Sequence, residues 1–363
     1  MIPTSSKCIG VDWLNDVLHS SGFLTRASIT SVRHEPWGIG EGFVSDTARL
    51  SLAYDREDPH LPETIIAKLP ASYQPARVVT LPPNIYQREI LFYTEVAPQS
   101  PVRTPGFIYS ESDFENQRYI LLLEDCSHYA RVDQITGLDA EQTKLVATKL
   151  ADFQAHWWDN PELFFFPWLR KPGRPEAMAL ADIFRTCWDA AAQIEDFVNN
   201  LPEGGWEAGL KLYEHYPWLI ESIPDKHLTI AHRDFKADNM FFDWTTLDDP
   251  LIVCDWGGVS ISRGVIDLAY LVGSSVPTGV RRAIEKDTVK LYYERLLERG
   301  VSGYSPGECW HDYRKGLLFF TFIGLLAVTR LDMSDPRGTE LLRVAIPRYI
   351  ATILDNDAVS ILP

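Results

Sequence analysis

The stretch 230-IAHRDFKADNMFFDW-244 decides how the rest of the chain is read. His232, Arg233, Asp234 and Asn239 sit between two apolar runs, which places them on a loop held by strands. A short β-like run, 239-NMFFD-243, leads into a polar turn from Trp244 to Pro250. A second run, 251-LIVCDW-256, follows it. The two runs can pair as a hairpin, which would bring Asn239 and Asp255 together.

These residue types suit one chemistry. Transfer of a phosphoryl group needs a carboxylate to orient the attacking hydroxyl or accept its proton. It also needs oxygen ligands for magnesium, because charge on the moving group must be neutralised. Asp234 fits the first role, and Asn239 and Asp255 fit the second. His232 reads as a structural histidine supporting the loop. The competing reading of Asp234 is a turn aspartate, common in loops. The spacing H-x-D-x-x-x-x-N gains its meaning from Asp255, which follows at the end of an apolar strand.

Such a site makes a demand on the first part of the chain: a strand lysine for the α- and β-phosphates, and a helix glutamate to hold that lysine. Lys68 stands in 64-TIIAKL-69, the one charge in an apolar strand. Glu89 lies on a helix expected over 84–96, with Ile85, Ile90, Phe92, Tyr93 and Val96 available to the core. The plainer alternatives are an edge-strand lysine and a solvated helix glutamate. Upstream, Gly38, Gly40 and Gly42 in 37-WGIGEGF-43 allow close backbone approach to phosphates. Their spacing departs from G-x-G-x-x-G, and a plain hairpin turn is the alternative.

Bulk composition bounds the partners. The chain has 363 residues and a formal net charge of −16, which disfavours nucleic acid and anionic membranes as partners. Five scattered cysteines without a C-x-x-C pair point to reduced thiols and a cytoplasmic protein. The first residues lack the pattern of a signal peptide. The apolar run 317-LLFFTFIGLLAV-328 falls short of the roughly 20 residues that span a bilayer and reads as a buried helix. No obligate protein partner is evident.

Along the chain, residues 12–22 read as an amphipathic helix. In 47-TARLSLAY-54, Ala48, Leu50, Leu52 and Tyr54 alternate onto one face, and 118-RYILLLED-125 is a further strand. A helix over 140–157 has Asp139 as N-cap and Gln142 at the capping-box position. Helices fill most of 265–300 and 308–355. The expectation is an α+β bilobal arrangement: a β-rich N-lobe over 1–125 for the nucleotide, and a mostly helical C-lobe over 126–363. Within the C-lobe, 158–225 is a helical, aromatic insertion.

With these residues assembled, the chain resembles the aminoglycoside phosphotransferase and choline kinase-like superfamily, closest to its choline-kinase-like and ecdysteroid-kinase-like branch. The likeness rests on 38-GIGEGFVSDTARLSLAYD-55, 65-IIAKLP-70, 86-YQREILFY-93, 120-ILLLEDC-126, 146-VATKLADFQAHWW-158, 231-AHRDFKADNMFFD-243 and 252-IVCDWGGVSISRGVIDLAYLVG-273. It implies a protein-kinase-like fold, ATP with Mg²⁺ bound between the lobes, and phosphorylation of a small-molecule alcohol. It also implies that backbone groups of Glu124 and Cys126 hold adenine, and that Asp267 is a structural acid under the catalytic loop. Arg233 stands where this family often has glycine. Lys236 is a second departure, either reaching the transferred phosphate or facing solvent.

A protein kinase is the first alternative. Against it stand Trp256 in place of phenylalanine after Asp255, and a path from Asp255 to Asp267 too short for an activation segment. A catalytically inactive nucleotide-binding scaffold is the second. It has no need of Lys68, Glu89, Asp234, Asn239 and Asp255 together. The acceptor is not legible: Trp157, Trp158, Phe165 and Trp168 suit either a pocket wall for a flat or cationic molecule or the core of the helical lobe.

Overall fold

The computed structural model describes residues 2–37, 45–70, 85–113, 115–116, 118–169, 174–222, 226–246, 248–330 and 336–363. Two compact units divide the chain. The first is Met1–Gln99 with Arg103–Ala130 and Ile252–Gly257; the second is Ser100–Val102 with Arg131–Leu251 and Gly258–Pro363.

In the first unit, α1 (Val11–Ser20) is followed by β1 (Ile29–Pro36), β2 (Ser45–Tyr54) and β3 (Thr64–Pro70). Helix α2 (Ile85–Leu91) then runs into a π-helical turn, Phe92–Val96, before β4 (Phe107–Asp113) and β5 (Arg118–Glu124). The strands form one antiparallel sheet in the order β1-β2-β3-β5-β4. Alternation sets its buried face. Ala48, Leu50 and Leu52 of β2 join Ile65, Ala67 and Leu69 of β3 and Leu14, Val17 and Leu18 of α1 in one apolar cluster. Each fully buried leucine or isoleucine there is worth about 2 kcal/mol. The same period of two turns Lys68 to the other face. Lys68 pairs with Thr47 on one side and Leu121 on the other, so it stands on an inner strand and the edge-strand reading is excluded. Strand β4 was not expected: FIYSESD has too little alternation to announce a strand, and pairing with β5 supplies what propensity lacks.

The second unit is mainly helical. After the two-residue strand β6 (Ala130–Arg131), α3 (Ala140–His156) begins on a capping box, with Asp139 and Gln142 exchanging bonds as expected. Helices α4 (Arg174–Ala191), α5 (Glu195–Asn200) and α6 (Gly205–Glu221) build the aromatic segment. Trp157 is fully buried core, whereas Phe164 and Phe165 are 87% and 79% exposed. Strand β7 (Thr229–Ala231) leads to the polar loop and β8 (Met240–Phe242), after which a turn closed by Asp243 N–H on Pro250 C=O at 2.8 Å leads to β9 (Leu251–Val253), whose last two residues belong to the first unit. Strand β10 (Ser260–Ser262) pairs antiparallel with β7. Four helices complete the unit: α7 (Val265–Ser275), α8 (Thr278–Glu298), α9 (Pro306–Arg330) and α10 (Pro336–Asp355). The apolar run falls within α9, where Leu317, Leu318, Phe319, Phe320, Leu325, Leu326 and Val328 are buried. Among the described residues, no helix is long and apolar enough to cross a membrane.

Candidate active site

The second unit holds the polar loop. Thr229, Ile230 and Ala231 are fully buried in β7, and the chain then turns on His232. Asp267, in the first turn of α7, fixes the turn from below. Its Oδ2 accepts the His232 N–H at 2.7 Å and its Oδ1 the Arg233 N–H at 3.0 Å. Burial pushes the Asp267 carboxyl up to about 7, against the pull of those N–H groups, Arg233 and Gln154. Gln154 of α3 donates to Asp267 Oδ2 at 3.0 Å and accepts from Tyr292 at 2.6 Å. The imidazole of His232 is buried, and its Nδ1 accepts the Asp234 N–H at 3.2 Å. His232 therefore supports the loop, as its sequence context suggested.

Arg233 has φ +73°, a region where a side chain costs strain and glycine does not. That is the physical reason a glycine suits this position. Here the guanidinium lies 4.3 Å from the Phe319 ring centroid and 5.7 Å from that of Phe320, so the side chain recovers energy through the rings of α9.

Asp234 is gripped by its neighbours. Asn239 donates from Nδ2 to the Asp234 carbonyl at 2.8 Å and to Oδ2 at 3.0 Å. Those two bonds fix the amide, so Asn239 Oδ1 is the atom it can offer a hard cation. Asn239 ends a 3₁₀ turn, Ala237–Asn239, and does not lie in the strand expected from 239. Lys236 Nζ stands 3.0 Å from Asp234 Oδ2, with its side chain 21% exposed, so it turns inward and not to solvent. Burial opposes the Lys236 charge, but Asp234, Tyr270 and Asp238 together raise its pKa above the ordinary lysine range.

In the first unit, Lys68 bonds to Glu89 of α2 and, at 3.1 Å, to Asp255 Oδ1. Burial disfavours the ammonium, yet Asp255 and Glu89 raise its pKa beyond the usual range. Asp255 has φ +65°, which turns its carboxylate out of the line of β9; its side chain is 49% exposed. The next residue, Trp256, stacks on Phe92 at 3.9 Å between centroids, which seats Asp255 beside α2. Tyr93 is buried, as its helix position suggested, but its place beside Glu89 and Asp255 was not foreseen; burial carries its pKa well upward. The Glu124 N–H donates to Gly106 C=O at 2.8 Å, and the Cys126 C=O accepts from Tyr129 N–H at 3.0 Å. Gly38, Gly40 and Gly42 lie outside the described residues.

The arrangement thus gathers Lys68, Glu89 and Asp255 in one unit and Asp234, Lys236 and Asn239 in the other. A strand-rich unit with a lysine–glutamate pair, and a helical unit with a carboxylate on a histidine-anchored loop, define an α+β kinase-like fold. Residues 54–309 match the phosphotransferase enzyme family (APH), and the chain belongs to it. No protein of curated function matches it in sequence.

Solved structures agree in fold. A Ralstonia eutropha protein, a candidate aminoglycoside phosphotransferase, superposes with TM-score 0.58 at 15% identity, over 97% of each chain. Plasmodium vivax ethanolamine kinase gives 0.53 at 11% identity, over 92% of this chain and 85% of its own. Choline kinase from Cryptosporidium parvum gives 0.52 at 14%, over 92% of each.

Proposed function

We propose that this phosphotransferase moves the γ-phosphoryl group of ATP, with Mg²⁺, onto a hydroxyl of a small molecule. Lys68, held by Glu89, binds the α- and β-phosphates. Asp255 and Asn239 supply oxygen ligands to Mg²⁺, which neutralises charge on the phosphates when bound. Each is a hard oxygen donor of the kind such a cation takes, one a carboxylate and one an amide, and each is oriented within its own unit by a bond to a neighbour. Asp234 receives the acceptor hydroxyl and orients it in line, and Lys236 sits beside Asp234 Oδ2. The Glu124 C=O and Cys126 N–H are the backbone groups assigned to adenine.

The observation that carries this reading is the Lys68 ammonium, shared by Glu89 and Asp255 from sequence distances of 21 and 187 residues. A desolvated cation between two carboxylates contributes little to a fold on balance. It gains its use when phosphate oxygens arrive.

A protein kinase is disfavoured by what fills the path from Asp255 to Asp267. The 3₁₀ turn Trp256–Gly258, strand β10 and the start of α7 take up the segment, with no loop to hold a peptide. The test is a screen of hydroxylated small molecules for acceptor-dependent ADP release, beside a peptide library. Release with a small alcohol and not with peptides supports the reading; release with peptides alone contradicts it.

A further inference from the structure

Asp238, between Ala237 and Asn239, has no part in the transfer scheme, yet both its carboxylate oxygens are held. Oδ1 accepts the Gln134 N–H at 2.8 Å, and Oδ2 accepts from Arg337 Nη2 at 3.0 Å. The Asp238 carbonyl accepts from Arg131 Nη2 at 3.2 Å. Arg337 stands in the first turn of α10, and its other terminal nitrogen pairs with Asp133. Further along α10, buried Arg348 donates to the carbonyls of Gln134 and Ile135 at 2.9 and 2.7 Å. On the other side of the turn, the Ala237 N–H bonds to Ser275 Oγ at 3.0 Å.

We propose that Arg337 is a positioning residue for the turn that carries Asn239, so that α10 clamps the Mg²⁺-binding amide. The proposal rests on the reading of Asn239 as a metal ligand. A three-residue 3₁₀ turn has little rigidity of its own; here its backbone bond runs from Asn239 N–H to Lys236 C=O at 3.0 Å. Direction must come from outside. The guanidinium reaches Asp133 and Asp238 from two nitrogens held at a fixed separation, a span that the single nitrogen of an ammonium does not reproduce. Helix α10 lies beyond residue 309, where the family match ends. The clamp therefore comes from a helix that the family match does not include.

The test follows Mg²⁺-dependent binding of a non-hydrolysable ATP analogue by calorimetry. Arg337→Ala should weaken the Mg²⁺-dependent gain in affinity about tenfold, as loss of an outer-shell partner does. Binding without Mg²⁺ should not change, and Arg337→Lys should not restore the gain. Asn239→Ala should remove it, and adding Arg337→Ala to that variant should cost no more. Arg343→Ala, on the same helix with an exposed pair to Asp196 at 2.9 Å, should behave as wild type. A lesion confined to stability would lower the melting temperature without this coupling. Wild-type Mg²⁺ dependence in Arg337→Ala, where Asn239→Ala has lost it, overturns the clamp alone. Unchanged dependence in Asn239→Ala overturns the metal assignment and the clamp with it. If Arg337→Ala lacks a cooperative melting transition, Arg337→Lys gives the same comparison with the same outcomes.

Discussion

Asp267 Oδ2 accepts the backbone N–H of His232 at 2.7 Å across 35 residues of sequence, and this bond sets the direction of the loop that presents Asp234. With the Arg233 N–H on Oδ1 at 3.0 Å, the carboxylate takes two main-chain donors that would otherwise be buried and unpaired.

Asp267→Asn should therefore disturb the loop. An amide presents one acceptor and turns its NH₂ toward a main-chain donor, so at least one bond is lost, at about 2 kcal/mol. Turnover should fall about tenfold or more. Stability should also lose a pH dependence. With the folded carboxyl near 7 against an ordinary 3.8, the native state holds a proton that the unfolded chain releases between those values. Its contribution thus weakens stability as pH rises from about 4 to about 7, then levels off. Urea denaturation across that range should show this slope in the parent protein and its loss in Asp267→Asn.

Lys68→Ala should cost both affinity and stability. Glu89 and Asp255 would remain close without their shared cation, and Glu89 is buried. Breaking such a pair from one side costs about 3 kcal/mol. Glu89→Gln combined with Lys68→Ala should recover part of the loss in chemical denaturation. Additive losses in the double variant would contradict the pairing.

At Arg233, two effects oppose. The left-handed backbone costs about 1 kcal/mol for any side chain, and the contact with Phe319 and Phe320 returns about as much. Arg233→Gly should be nearly neutral in stability, while Arg233→Ala keeps the strain without the contact and should lose about 1 kcal/mol. Thermal or urea melts of the two variants distinguish these effects.

The sequence carried the parts of this fold that local pattern controls. Alternation in TARLSLAY announced β2 and the β-rich run TIIAKL announced β3, and the period of two then turned Lys68 to the face opposite the apolar cluster. The Asp139–Gln142 spacing announced the start of α3. What stayed hidden depends on residues far apart in sequence. Nothing near Asp238 signals Arg337, 99 residues on, because an arginine that bridges two carboxylates looks like any surface arginine in a helix. Lys236 was open between phosphate and solvent until its bond to Asp234 placed it. Trp157 and Phe165 carry the same apolar signal, yet one is core and the other exposed, since burial is decided by what packs on top.

Asp234 gives the most direct test of the whole account. Asp234→Ala should bind ATP without Mg²⁺ within about threefold of the parent protein, because this carboxylate is assigned to the acceptor; the Mg²⁺-dependent gain is a separate readout, since Asp234 Oδ2 also holds Asn239. With the acceptor found by the screen, its turnover should fall by about a thousandfold or more. Near-normal acceptor-dependent ADP release by this variant would contradict the assignment of Asp234 and, with it, the reaction proposed for this site.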